Sequence, residues 1–145
     1  MSDYSVGSIS IDASAAEIFS ILADLEAYPT WSASIKAVEV SERDSEGAPT
    51  RVTFKVEAGV LKDRVDLDYD WSKKPTEISF TLEEANLLTE MSGSFALKAI
   101  DSDTTEVSYK LKVDLSMPVP DIMRKKQEQA TIDQELAKLK SRAEG

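Results

Sequence analysis

Tyr69 and Tyr109 are the side chains best suited to do chemistry in this chain, because it contains no histidine and no cysteine. A phenol on a dry face can donate a hydrogen bond to a carbonyl or hydroxyl, or act as a proton donor. Asp63 and Asp133 are the carboxylates that could assist. Asp63 keeps the inward parity of Val65, and Asp133 borders the apolar stripe of the C-terminal helix. The same residues also admit a structural reading, with the phenols bonded to backbone and the carboxylates solvated at an edge. The absences narrow the chemistry further. Without histidine there is no Ser-His-Asp triad and no usual general base near neutral pH. Without cysteine there is no thiolate nucleophile, no disulfide and no thiolate metal ligand. A zinc or non-haem iron site would need carboxylates alone, which is uncommon for those metals. Asp66, Asp68 and Asp70 look at first like a calcium ladder. At strand spacing, however, they stand about 7 Å apart on one face, and no glycine-centred twelve-residue loop accompanies them. They read as a solvated face. No metal and no cofactor is expected.

These residues must be positioned by the elements around them. Residues 4–11 alternate and contain β-branched residues, which predicts a strand. Ser14-Ala15-Ala16-Glu17 is a capping box, and Ile18, Leu22 and Leu25 then recur at helical spacing for about three turns. Pro29 argues against uninterrupted helix past Tyr28. Six segments with period-two alternation follow, near 35–43, 50–58, 62–72, 77–83, 87–99 and 104–115. Such alternation means an antiparallel sheet with one wet and one dry face. The breaks are short: Ser45-Glu46-Gly47, Gly59, Lys73-Lys74-Pro75, Glu84-Ala85-Asn86 and Asp101-Ser102-Asp103. A meander of hairpins is therefore expected. After Pro118 and Pro120 a helix of about 22 residues is predicted, with Ile122, Gln129, Ile132, Leu136 and Leu139 on one stripe, flanked by Met123, Ala130 and Ala143. One helix can cover the dry face of a seven-stranded sheet only if the sheet is strongly curved around it.

The 145 residues fit one domain, 1–145, with 41% hydrophobic and 30% charged residues. The net charge is −10. Residues 121–145 carry six Lys/Arg against five Asp/Glu, so the acidity lies on residues 1–120. An acidic body repels phosphate backbones and anionic lipid, which argues against nucleic-acid partners and membrane adsorption. No apolar run approaches a membrane span, and no secretory leader is evident. A cytoplasmic protein, monomeric or weakly dimeric, is expected.

The element order, with Ile9-Ser10-Ile11-Asp12-Ala13-Ser14-Ala15-Ala16-Glu17-Ile18-Phe19 and then Leu22-Ala23-Asp24-Leu25-Glu26-Ala27-Tyr28-Pro29-Thr30-Trp31, resembles the START-like, or SRPBCC, superfamily of helix-grip folds. Within it the chain is most similar to the polyketide cyclase/dehydrase and lipid-transport group. The resemblance covers the whole chain by element order, and only the first 40 or so residues by motif. It implies an α+β, Bet v 1-like fold: a seven-stranded curved antiparallel sheet around a long C-terminal helix, with two short helices after the first strand. It also implies a deep pocket between sheet and helix. Members bind lipids, sterols, polyketides, plant hormones or quinones, and some catalyse cyclisation or dehydration. Fold alone does not decide among these.

By strand parity, Phe54, Val56, Leu67, Tyr69, Trp71, Phe80, Leu82, Met91, Phe95, Tyr109 and Leu111 project to the concave side, with Ile122, Met123, Ala130 and Leu136 facing them from the helix. Trp31, in the Tyr28–Trp31 corner, is a candidate for the pocket mouth, where a large amphipathic ring suits a partly wet gate. Met91, Met117 and Met123 would adapt to a variable ligand. The same residues could instead fill a solid core. Three functions remain open: a carrier or sensor of a small hydrophobic molecule, a cyclase/dehydrase-type enzyme using Tyr69 and Tyr109, and an interaction module with a vestigial pocket. The lack of histidine and cysteine favours holding a molecule over transforming it.

Overall fold

The computed structural model describes residues 4–58 and 61–145. Strand β1 (Ser5–Ile11) leads into helix α1 (Ala15–Ala23) and a short 3-10 helix (Leu25–Thr30). Six strands follow: β2 (Ile35–Arg43), β3 (Pro49–Ala58), β4 (Leu61–Asp70), β5 (Glu77–Ala85), β6 (Leu88–Ala99) and β7 (Thr105–Leu115). Helix α2 (Asp121–Glu144) closes the chain. The seven strands form one antiparallel sheet in the order β1-β7-β6-β5-β4-β3-β2. This is the predicted meander, with β1 returning to pair with β7. The predicted turn at Gly59 lies outside the described residues.

Local chemistry explains the boundaries. Ser14 accepts from the Glu17 amide at 3.2 Å and starts α1. Ile18 and Leu22 bury the helix's inner face. Pro29 does not end helical structure at Tyr28, because the chain tightens into the 3-10 form and carries the proline inside it. Along the strands the alternation is realised: Val52, Phe54, Val65, Leu67, Ile78, Val107 and Leu111 are all buried on the concave side. On the other face, Asp66 accepts from the Thr53 hydroxyl and Asp68 pairs with Arg51. Asp70 accepts from the Ser72 amide.

Helix α2 lies against β1 and β7. Its approach to β1 is close: a Cβ on Gly7 would stand 2.6 Å from the Ile132 Cγ2. Glycine at that position is what lets the helix seat. Ile132, Leu136 and Leu139 enter the core. At its C-terminal end the helix is pinned by Glu144, which accepts from the Asp12 amide at 2.8 Å and pairs with Lys140.

The predicted phase of α2 is wrong in its first two turns. Ile122 is 79% and Met123 60% exposed, and Ala130 is exposed as well. None of the three faces the sheet. The buried stripe there is Arg124, Glu128, Ile132, Glu135, Leu136 and Leu139, rotated by roughly a sixth of a turn from the apolar one. The physical reason is that Arg124 and Glu128 neutralise each other at 3.1 Å. Glu128 also accepts from the Ser5 hydroxyl at 2.8 Å and the Val113 amide at 2.6 Å. A fully hydrogen-bonded ion pair can occupy buried positions that pattern reading reserves for apolar residues.

Candidate functional site

A cavity of about 50 Å³ lies between the sheet and α2. Its walls combine six aromatic rings, Tyr28, Phe54, Tyr69, Phe80, Phe95 and Tyr109, with aliphatic residues and one carboxylate, Glu135. The rings come from five strands, β3 to β7, and the 3-10 helix. Phe95 stacks on Tyr109 at 4.1 Å between centroids. Tyr69 meets Phe80 at 5.6 Å and Phe54 at 6.2 Å, and Phe54 in turn stacks with Tyr28 at 6.2 Å. Gly93 makes room beside Phe80, since a Cβ there would stand 2.8 Å from the ring. The space is well below the roughly 300–1,000 Å³ of pockets that bury a drug-sized ligand, so it suits a small molecule or one end of a larger one.

The charged group of the wall, Glu135, comes from α2. Glu135 is 4% exposed and is held by the loop between the 3-10 helix and β2. Its Oε1 accepts from the Ser32 hydroxyl at 2.8 Å, the Ser34 hydroxyl at 3.1 Å and the amides of Ala33 and Ser34. Its Oε2 accepts only from the Ser32 hydroxyl, at 2.8 Å. Ser32 itself is fixed by the amides of Ser34 and Ile35. Of the three cavity phenols, Tyr28 donates to the Leu22 carbonyl at 2.7 Å. The Tyr69 and Tyr109 hydroxyls make no hydrogen bond among the described residues, and both residues line the cavity. Among the described residues, the fully buried side-chain polar atom left without a partner is Trp31 Nε1.

Burial, and then the nearby Glu135 charge, pushes the Tyr69 phenol well above the ordinary phenol range. Tyr109 is raised by the same two causes in the same order, with Tyr69 adding to them. Tyr28 is raised by burial and then by Tyr69 and Tyr109. All three therefore stay protonated at physiological pH. They are good hydrogen-bond donors and poor general acids, since an effective acid has a pKa near the working pH.

Eight residues anticipated from strand parity line this space: Phe54, Val56, Leu67, Tyr69, Phe80, Met91, Phe95 and Tyr109. Leu111 and Trp71 are buried but do not line it. Trp71 instead donates to the Pro49 carbonyl at 2.6 Å and packs edge-on against Phe19. Leu82 is half-buried and apart from it. Trp31 is 8% exposed and lies against Tyr28 at 4.8 Å, behind the wall and not at its mouth. Asp63 is not solvated. It is 9% exposed, and its carboxylate gathers the amides of Arg64, Asn86, Leu87 and Leu88, tying β4 to the β5–β6 turn. Asp133 is exposed and accepts from Gln129. Neither carboxylate reaches Tyr69 or Tyr109. Sequence reading missed Glu135. Its signal was its position, three residues from Ile132 and four from Leu139 on one helical face. Among the described residues no group of three or more His, Cys, Asp or Glu could hold a metal ion, and no described helix is long and apolar enough to cross a membrane.

The chain belongs to the polyketide cyclase/dehydrase and lipid transport family, whose model matches residues 5–144. Among solved structures, a START superfamily protein from Mycobacterium smegmatis superposes with a TM-score of 0.92 at 26% identity, over 97% of each chain. The Zhui aromatase/cyclase from Streptomyces sp. R1128 gives a TM-score of 0.75 at 17% identity, over 98% of this chain and 93% of its own. A protein from Thermus thermophilus gives 0.81 at 19% identity, over 97% of each chain. No protein of curated function matches the chain. The fold is therefore the START-like helix grip, as the element order implies.

Proposed function

We propose that this protein binds a small, largely apolar molecule in the cavity between the sheet and α2, and does not transform it. The observation that carries this reading is the composition of the wall: six aromatic rings around two phenol hydroxyls free to donate, with one fixed carboxylate. Binding pockets have this make-up, mostly apolar with a few convergent polar groups that set orientation. Membership of the family supports a ligand-holding role, while the Streptomyces aromatase/cyclase is an enzyme on a similar fold. Against catalysis here stands the acid–base inventory. Burial holds the phenols protonated, Asp63 and Asp133 are engaged elsewhere, and Glu135, the carboxylate on the wall, is held by the hydroxyls and amides of Ser32–Ser34.

The test is a two-dimensional NMR titration with short-chain alcohols and ketones. Saturable shifts at Tyr69, Met91 and Tyr109 are expected at millimolar or lower concentration. Absence of any saturable shift at these residues would defeat the reading. Turnover of a polyketide-like substrate that falls sharply in both Tyr69→Phe and Tyr109→Phe would favour the enzyme instead.

A further inference from the structure

Glu135 is a buried carboxylate without a cation. It forms no ion pair among the described residues, and no lysine or arginine lines the cavity it faces. This is an unusual arrangement, because buried charges are ordinarily paired. Its Oε1 is saturated by four donors, whereas its Oε2 accepts only from the Ser32 hydroxyl it shares with Oε1. Oε2 thus retains acceptor capacity. The cavity that Glu135 lines is also lined by the aromatic rings of Tyr28, Phe54, Tyr69, Phe80, Phe95 and Tyr109. Aromatic faces carry negative quadrupole potential and attract cations, the more so when desolvated. A cavity that joins a carboxylate without an ion-pair partner to a wall of aromatic rings is complementary to one charge type. It repels a carboxylate head group and gains little from a neutral one.

We propose that the ligand is an organic cation, a small amine or ammonium compound, whose positive head takes the partner position beside Glu135 while its apolar part lies among the rings. This rests on the binding function proposed above and names the ligand's class. The Tyr69 and Tyr109 hydroxyls then serve any acceptor elsewhere on the ligand. The loop Ser32–Ser34 holds the carboxylate in place before the ligand arrives, so little ordering is left to accompany binding.

The experiment is calorimetric titration with three probes of one chain length: butylammonium, butanol and butanoate. It is run in about 0.3 M salt, so that the acidic body does not draw cations unspecifically. The expected order is ammonium tighter than alcohol by about tenfold or more, with no detectable butanoate binding. Glu135→Gln should remove that preference and leave butanol within about twofold, whereas Asp133→Asn, on the exposed face, should preserve it. Butanol or butanoate binding as tightly as the ammonium would overturn the proposal while leaving the binding function standing. No binding of any probe would overturn both. If Glu135→Gln does not fold, the wild-type order of the three probes decides alone. A Glu135→Gln protein that folds, loses stability and keeps the preference would overturn the proposal by showing that Glu135 is only a staple for the Ser32–Ser34 loop.

Discussion

Helix α2 carries two buried glutamates, Glu128 and Glu135, two turns apart on the same face, and they are neutralised in opposite ways. Glu128 is 2% exposed and meets Arg124 at 3.1 Å, the Ser5 hydroxyl and the Val113 amide. Its charge is matched within the protein, and the result is a rivet between α2, β1 and β7. Glu135 is matched only by dipoles, the hydroxyls and amides of Ser32–Ser34, and it faces a void. Both positions cost desolvation. Only the first recovers that cost as an ion pair, which is why we read the second as a binding feature and the first as a structural one.

The largest effect expected from this contrast belongs to Glu128→Ala. It leaves the Arg124 guanidinium buried without its main partner and should destabilise the fold by about 3–5 kcal/mol in denaturant titrations. Glu135→Ala strands no opposite charge and should cost less, about 1–3 kcal/mol, from the hydroxyls and amides it leaves unpaired. Equal losses would erase the distinction between the two glutamates. Asp63 supplies a third kind of buried carboxylate, without an ion pair among the described residues and matched by backbone amides. Burial raises its pKa, but the four backbone amides outweigh that and hold it below the ordinary aspartate value. A lowered folded pKa gives stability that is present above the unfolded value, near 3.9, and lost as pH falls through the folded one. Asp63→Asn should therefore reduce the melting temperature at pH 7, with the gap to wild type closing on acidification below about pH 4. A gap that persists in acid would contradict stabilisation by the amides. Replacing Arg124 and Glu128 together by Met and Leu should change stability by only about 1 kcal/mol or raise it, because hydrophobic isosteres often equal a buried pair. The smallest effect belongs to Met123→Lys, within about 0.5 kcal/mol, since the side chain is 60% exposed.

The same contrast explains how much of the molecule was legible in its residues. Strand alternation exposes its two faces openly, so β2 to β7 and the inward set from Phe54 to Tyr109 could be read from period two. The helix hides its buried face, because charged residues occupy it wherever a partner satisfies them. Arg124 and Glu128 look like solvent residues until Ser5, Val113 and Asp114 are brought alongside by the sheet. Ile122 and Met123 look like core and lie in solvent for the complementary reason: the sheet packs against the opposite side of the first turn. The helical spacing of Glu135 marked its face but not its role, because its donors lie about a hundred residues earlier in the chain, in a loop whose serines carry no periodic signal. A cavity is also not a pattern property, since alternation defines a dry face and says nothing about how completely it is filled.

The ring-lined space beside Glu135, and not the exposed apolar end of α2, is where a ligand should sit. Intermolecular NOEs between bound butylammonium and protein test this directly. NOEs to the ring protons of Tyr69 and Tyr109 and to the Met91 methyl are expected. NOEs confined to Ile122 and Met123 would contradict it.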